Sequence, residues 1–215
     1  IADTLIKLGY VKPSAYDSMR AARMDWKRRA PGASFKIYEE ELIKVYERVL
    51  LGLSVKHFEN AAEAVFAEYK DQVYVYTRNL LGELKEEGYL LFAISGSQQE
   101  IIQKIADYYS FTDCVGTVYE LNGGHFTGAK IVGSVDKHKT LQKLIKKHNA
   151  TAQGSVAVGD TSGDISMLEM VDNPIAFNPE KKLYDQAIEK GWKVVIERKN
   201  MVYELERSNG QYQLV

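Results

Sequence analysis

The sequence predicts an α/β fold, with a doubly wound parallel sheet preceded by a bundle of helices. Residues 1–73 carry apolar side chains at helical spacing and almost no strand pattern. From about residue 74, helical segments alternate with short apolar runs, which is typical of right-handed βαβ units and a parallel sheet. We therefore divide the 215 residues into a helical domain, 1–73, and an α/β domain, 74–215.

Four helices are expected in the helical domain. Apolar residues at helical spacing mark the first two, and Pro31-Gly32 separates them from a long helix over Phe35–Leu51. Gly52 ends this helix, because glycine readily adopts the left-handed conformation of a helix C-terminus. Ser54 is placed to cap the fourth helix.

In the α/β domain, helices and strands are expected in turn, with one hairpin after the second strand and another at the end. The run Tyr89–Ile94 is continuously apolar, as expected of a strand buried on both faces. Asn122-Gly123-Gly124 and Ser208-Asn209-Gly210 predict the two hairpin turns. The predicted elements are helix Thr77–Glu87, strand Tyr89–Ile94, helix Gln98–Tyr109, strand Cys114–Val118, helix Lys137–His148, strand Ser155–Val158, helix Ile165–Met170, strand Ile175–Phe177, helix Lys182–Lys190, strand Trp192–Ile196 and hairpin Tyr203–Val215.

Charge and cysteine content restrict the classes of partner. The 28 basic and 29 acidic residues give a net charge of −1, so there is no electrostatic reason to expect a nucleic acid or an anionic membrane as partner. Cys114 is the single cysteine, which excludes an internal disulfide and favours a reducing cytoplasm. No apolar run is long enough to cross a bilayer.

Polar residues at strand ends are the candidates for chemistry, because ligands of doubly wound sheets collect at the carboxyl ends of the strands. Ser95 and Gly96 follow the predicted strand Tyr89–Ile94. A hydroxyl, a backbone that an anion can approach closely, and free N–H groups at the next helix together suit a phosphate oxygen. The alternative is that Ser95 only caps that helix. A serine nucleophile is disfavoured because no Gly-x-Ser-x-Gly elbow is present.

The most specific local signal is Val158-Gly-Asp-Thr-Ser-Gly-Asp164. The preceding strand brings Asp160 to the sheet edge, and the four-residue step places Asp164 one turn further on. Two adjacent carboxylates repel each other unless a cation lies beside them, and Mg²⁺ prefers such oxygen ligands. Helix capping explains one of the two aspartates but leaves the other unexplained. Both are therefore candidate metal ligands.

Lys137 is the third candidate. It lies in the first turn of a predicted helix, where the helix dipole favours anions over cations. An unfavourable position of this kind suggests a function, such as binding a phosphate oxygen. The alternative is a solvated lysine, as Lys143 and Lys146 on the same helix illustrate.

In this order, strand–Ser, helix–Lys and strand–Gly-Asp-x-x-x-Asp resemble the haloacid dehalogenase-like (HAD) phosphohydrolases. The segment 159–168, continuing through Asn173–Pro179 to Lys190-Gly191-Trp192, resembles the phosphoserine phosphatase-like branch. The resemblance implies a Rossmann-like core with a helical cap, residues 1–73, inserted after the first core strand. It also implies roles for single residues: Ser95, Gly96 and Lys137 in phosphate binding, Asp160 as metal ligand, Asp164 as ligand or orienting partner, and Asn178 as a pocket residue.

The family also carries a nucleophilic aspartate, with a second aspartate two residues later, at the end of its first core strand. Asp3-Thr4-Leu5 superficially resembles the end of that motif, but no strand pattern precedes Asp3, which fits a helix with Leu5 and Leu8. We therefore expect the first core strand and the nucleophile upstream of Ile1. Residues 1–215 by themselves are expected to be inactive.

The function that the resemblance implies is Mg²⁺-dependent hydrolysis of a small phosphorylated metabolite through an aspartyl-phosphate. Two alternatives stay open: a pseudoenzyme that binds a phosphorylated ligand, and a phosphotransferase that uses the same intermediate. A basic row in the helical domain either meets an anionic substrate or faces solvent. It consists of Arg20, Arg23, Lys27, Arg28 and Arg29.

Overall fold

The computed structural model describes residues 1–199 and 201–215. Residues 1–73 form the four expected α-helices, with a short 3-10 turn at Pro13–Tyr16. Ser34 caps the third helix by accepting a hydrogen bond from the backbone N–H of Ile37 at 3.2 Å. Ser54 precedes the fourth helix as predicted, but its side chain makes no capping bond. The helices are α1 Ala2–Lys7, α2 Asp17–Lys27, α3 Phe35–Leu50 and α4 Val55–Tyr69.

The rest of the chain alternates helices and strands, which confirms the predicted α/β class with a parallel sheet. The helices are α5 Val75–Glu86, α6 Gln99–Tyr108, α7 Lys137–Lys147, α8 Ile165–Leu168 and α9 Lys181–Lys190. The strands are β1 Phe92–Gln98, β2 Asp113–Asn122, β3 His125–Val132, β4 Val156–Gly159, β5 Asn173–Phe177, β6 Lys193–Arg198, β7 Met201–Ser208 and β8 Gln211–Leu214.

The first strand of the α/β region begins and ends later than predicted. Tyr89, Leu90 and Leu91 lie outside β1, and the N–H of Tyr89 closes the end of α5 on the carbonyl of Leu84 at 2.9 Å. At the other end, β1 runs on to Gln98, which pairs with Thr117 of β2. An irregularity in the pairing between Ile94 and Gln98 frees the intervening residues from a regular ladder. Ser95 and Gly96 therefore lie in this interruption and not beyond the strand.

Both predicted hairpins are present. Gly123 and Gly124, with φ of 55° and 77°, make the turn between β2 and β3, and both lie in the left-handed region that a tight two-residue turn requires. Asn209 and Gly210, with φ of 50° and 80°, join β7 to β8 in the same way. The sequence did not predict that β6 also pairs antiparallel with β7.

The described residues form four clusters of buried side chains, of which two are the largest. In one, Leu5, Leu50 and Phe58 of the helical region pack against Tyr119 and Phe126 of the β2–β3 hairpin. The other covers the sheet that contains β4 and β5, and is centred on Leu168, Ala176, Leu183, Ala187, Trp192 and Val194. The helical residues thus share a core with the hairpin. The division at residue 73 stays a prediction.

The strands of the described chain form two separate sheets. One has the order β1-β2-β3 and the other β4-β5-β6-β7-β8. Each of β1 and β4 has a described neighbour on one side, and both line the same cleft of about 940 Å³ with their other sides. The two sheets therefore face each other across this cleft, and the candidate site lies in the cleft.

The helices are too short or too polar to cross a bilayer. This holds for every helix in the part of the chain that the structure describes.

Candidate active site

Five of the six predicted site residues line the cleft between β1 and β4. Ser95 and Gly96 come from the irregular part of β1, and Lys137 comes from the first turn of α7. Asp160 and Asp164 come from the loop that follows β4. The cleft thus brings together residues from three elements that are well separated in sequence.

Asp164 is buried and fully engaged by hydrogen bonds. Its side chain is 3% exposed, and its Oδ1 accepts a hydrogen bond from the ammonium of Lys137, which is 16% exposed. Its Oδ2 accepts from the backbone N–H groups of Asp160 at 3.1 Å and Thr161 at 3.0 Å, and from the Thr161 hydroxyl at 3.1 Å. Asp164 therefore organises the loop after β4 and holds Lys137 in the cleft.

The backbone permits this arrangement because Gly159 has no side chain. A Cβ at Gly159 would lie 2.4 Å from the Cβ of Asp164, which is closer than two carbon atoms can approach. The first glycine of the motif is thus required for packing, and its reason lies in the aspartate five residues on.

The pKa values of the two aspartates move in opposite directions. Burial alone would raise the pKa of Asp164, but the hydrogen bonds from Lys137 and Thr161 outweigh it, and the pKa is lowered. Burial raises the pKa of Asp160, and the negative charge of Asp164 raises it further. Among the described residues, no other residue donates a hydrogen bond to the carboxylate of Asp160. Asp160 is thus the aspartate that has a free carboxylate.

Ser95 lies within the irregular part of β1. Its Oγ accepts a hydrogen bond from the backbone N–H of Ser97 at 3.1 Å, and this leaves its hydroxyl proton to donate elsewhere. The carbonyl of Gly96 is held by the hydroxyl of Thr117 at 2.7 Å. This bond from the neighbouring strand fixes the backbone at the point where an anion would approach.

Asn178 is placed differently. Its Oδ1 accepts a hydrogen bond from the backbone N–H of Glu197 at 2.9 Å, and its backbone is left-handed, with φ of 43°. Asn178 does not belong to the described residues that line the cleft. The structure therefore gives this side chain a contact between β5 and β6, and a pocket role for it stays a prediction.

Sequence reasoning missed Glu180. This residue follows β5, and its carboxylate accepts a hydrogen bond from the backbone N–H of Ser162, in the loop that carries Asp160, at 2.6 Å. The signal in the sequence is only a glutamate before a helix, where the helix dipole favours an acidic side chain. The contact between Glu180 and Ser162 forms because β4 and β5 are neighbours in the sheet. The sequence pattern does not predict which residues of the two loops then meet.

One carboxylate of the described residues is suited to bind Mg²⁺. No group of three or more His, Cys, Asp or Glu side chains suited to a metal occurs among residues 1–199 and 201–215. However, Mg²⁺ is usually held by one or two carboxylates, with water and substrate phosphate completing its shell. The free carboxylate of Asp160 fits that pattern, whereas Asp164 already binds Lys137.

Strands β1 and β4 and the first turn of α7 thus bring a hydroxyl, a free carboxylate and an ammonium to one cleft of an α/β protein. The sequence model of the haloacid dehalogenase-like hydrolases matches residues 6–169, more than half of the chain. The chain belongs to this family, as its resemblance to the family predicted.

Phosphoserine phosphatases are among its curated relatives. Phosphoserine phosphatase SerB1 of Mycobacterium tuberculosis is 28% identical over 148 residues, which is 66% of this chain and 48% of the relative. Phosphoserine phosphatase of Archaeoglobus fulgidus is 26% identical over 151 residues, which is 69% of this chain and 42% of the relative. The chain spans about half the length of the curated relatives that it matches.

Solved structures confirm the fold. A phospho-aspartyl intermediate analogue of phosphoserine phosphatase superposes with a TM-score of 0.58 and 20% identity, over 85% of this chain and 81% of the other. A protein of unknown function from Bordetella pertussis Tohama I gives 0.69 and 20% identity, over 91% and 89%.

Proposed function

We propose that the protein hydrolyses a small phosphomonoester through an aspartyl-phosphate intermediate, with Mg²⁺ as cofactor. The observation that carries this proposal is the convergence of Ser95, Gly96, Lys137 and Asp160 on one cleft. The first three supply hydrogen-bond donors and a positive charge for phosphate oxygens, and the fourth supplies a carboxylate for a cation.

Ser95, Gly96 and Lys137 bind the phosphoryl group in this proposal. The hydroxyl of Ser95 and the N–H of Gly96 donate to its oxygens. Lys137 uses one of its three N–H donors on Asp164, so that two remain for phosphate. Donors fixed in this way stabilise the charge that moves onto the phosphoryl oxygens in the transition state.

The nucleophile is assigned to a further strand between β1 and β4. Among the described strands, neither β1 nor β4 has a neighbour on the side along the cleft, and a parallel strand there would end between Ser95 and Asp160. The family carries two aspartates at the end of such a strand: the nucleophile and, two residues later, the general acid. We place both aspartates on this strand, upstream of Ile1, with residues 1–73 as the cap over the cleft.

Asp160 is the residue of this chain that would hold Mg²⁺. When bound, Mg²⁺ lowers the repulsion between an anionic nucleophile and an anionic phosphate ester. Asp164 keeps Lys137 charged and directed into the cleft, and its hydrogen bonds fix the backbone of Asp160. The similar fold of a phosphatase structure described as a phospho-aspartyl intermediate analogue supports the proposed aspartyl-phosphate intermediate.

The test uses protein that includes the segment preceding Ile1. It should release phosphate from p-nitrophenyl phosphate only when Mg²⁺ is present, and Asp160→Asn should abolish the release. Asp185→Asn, which removes an exposed carboxylate on α9 outside the cleft, should leave activity unchanged. Full activity of Asp160→Asn would overturn the proposal, and so would phosphate binding without turnover. Transfer of the phosphoryl group to an added alcohol would identify a phosphotransferase instead.

A further inference from the structure

Glu180 holds the loop that carries Asp160 at two points. Its backbone N–H donates to the carbonyl of Asp160 at 2.8 Å. Its carboxylate Oε1 accepts from the backbone N–H of Ser162 at 2.6 Å. Glu180, which lies after β5, therefore binds the loop after β4 on both sides of Thr161.

The side chain of Glu180 takes this contact in place of a nearer one. Glu180 is the N-cap residue of α9, and its side chain makes no capping bond to that helix. Its carboxylate reaches a residue 18 positions earlier in the chain instead. Because β4 and β5 are parallel neighbours, the loops after them lie side by side.

We propose that Glu180 is a positioning residue that holds Asp160 in place for a divalent cation. It acts through the backbone of the loop and does not itself contact the cation. The proposal rests on the proposed function for the identity of the cation. A loop that is already fixed loses less conformational freedom on binding a metal than a free one. Removing the hydrogen bond between Glu180 and Ser162 should therefore weaken metal binding.

The negative charge of Glu180 is an alternative explanation for an effect of this residue on cation binding. The negative charge of Glu180 also raises the pKa of Asp160, so the two carboxylates are near enough to interact. Glu180→Gln removes the charge but keeps an oxygen that can accept from Ser162. Glu180→Ala removes both. Glu189→Gln is the matched control, because Glu189 is exposed on α9 and lies outside the loop contacts.

The experiment uses protein that includes the segment preceding Ile1, as in the activity test. It measures two quantities on each variant: hydrogen exchange of the Ser162 backbone amide by NMR, and the Kd for Mg²⁺ by titration. Glu180→Ala should speed exchange at Ser162 and raise the Kd about 10-fold, as observed for residues that orient metal ligands. Glu180→Gln and Glu189→Gln should remain close to the wild-type protein in both. The rescue by glutamine is the result that a charge effect cannot produce.

Three results would overturn the proposal. Glu180→Ala with fast exchange at Ser162 and an unchanged Kd would show that the hydrogen bond between Glu180 and Ser162 does not contribute to cation binding. Glu180→Gln with protected Ser162 and the weak binding of Glu180→Ala would assign the effect to charge. A wild-type protein that binds no Mg²⁺ would remove the cation site, and with it the proposed function, whereas the first two results leave that function standing.

Discussion

Two aspartates in one short motif have different surroundings. Asp164 is buried, bonded to Lys137 and to the loop backbone, and its pKa is lowered. Asp160 lines the cleft, and its pKa is raised by partial burial and by the charge of Asp164. The pair therefore divides two tasks: Asp164 orders the site, and Asp160 offers the free carboxylate.

The ion pair of Asp164 predicts a large effect of Lys137→Met on stability. The substitution leaves a carboxylate that is 3% exposed without its cationic partner. Removing one member of a buried pair costs about 3–5 kcal/mol, and we expect a loss in this range in the free energy of unfolding measured with urea. Lys143→Met, at an exposed position of the same helix, is the control and should change stability little. Equal losses in both variants would contradict the pairing.

Asp113 predicts a pH dependence of stability. Burial would raise its pKa, but hydrogen bonds from His148 at 2.6 Å and Lys147 at 2.7 Å outweigh burial and lower it. A lowered pKa stabilises the folded state at pH values above the unfolded pKa of about 3.9, and the contribution disappears as pH falls through the folded pKa. Asp113→Asn should therefore cost about 2 kcal/mol at pH 7.

The measurement is urea unfolding of wild type and Asp113→Asn between pH 7 and pH 2.5. The difference between the two proteins should stay constant down to about pH 4 and shrink below it. A difference that is the same at pH 2.5 as at pH 7 would show that the charge of Asp113 does not contribute.

At the scale of elements, the β2–β3 hairpin connects the helical region to the α/β region. The carbonyl of Gly124, in its turn, accepts a hydrogen bond from the N–H of Val55 at 3.0 Å, and Phe126 packs edge-on against Phe58 of α4. The turn conformation thus fixes both the hairpin and the start of α4.

Two glycine substitutions should have opposite effects. Gly124 has φ of 77°, and a Cβ at this position would meet no atom within 4 Å, so Gly124→Ala meets only backbone strain, about 1–2 kcal/mol. Gly82 lies inside α5 with equally open surroundings and no left-handed φ, so Gly82→Ala should stabilise by about 0.5–1 kcal/mol. Urea unfolding of both variants checks the signs. Stabilisation by Gly124→Ala would contradict the turn geometry.

At the scale of the whole molecule, the sheet is divided at the site. The cleft between β1 and β4 exposes apolar side chains such as Leu90 and strand edges that could pair with another strand. Unpaired edges and open apolar surface reduce stability and promote association. Completing the sheet should therefore affect both stability and catalysis.

This predicts a difference between residues 1–215 alone and a protein extended by the proposed strand. The shorter protein should bind the dye ANS at the cleft and unfold at lower urea, since its apolar lining is open to solvent. The extended protein should bind little ANS and unfold at higher urea. Equal ANS fluorescence of the two would indicate that the added segment does not fill the cleft.

Much of this architecture follows from local sequence. The alternation of helices and strands, the two glycine-containing hairpin turns and the strand-end position of Asp160 depend on periodicity and turn chemistry, which act over a few residues. The same holds for the first turn of α7, where Lys137 was predicted and found.

The tertiary structure alone decided which side chains meet. Lys137 and Asp164 are 27 residues apart, and Glu180 and Ser162 are 18 apart. Asn178 binds the backbone of Glu197, and the pairing between β1 and β2 is interrupted at Ser95. A sequence pattern shows that a polar residue lies at a strand end. Its hydrogen-bond partner is set by which strands become neighbours, because that choice is made by packing across the whole sheet.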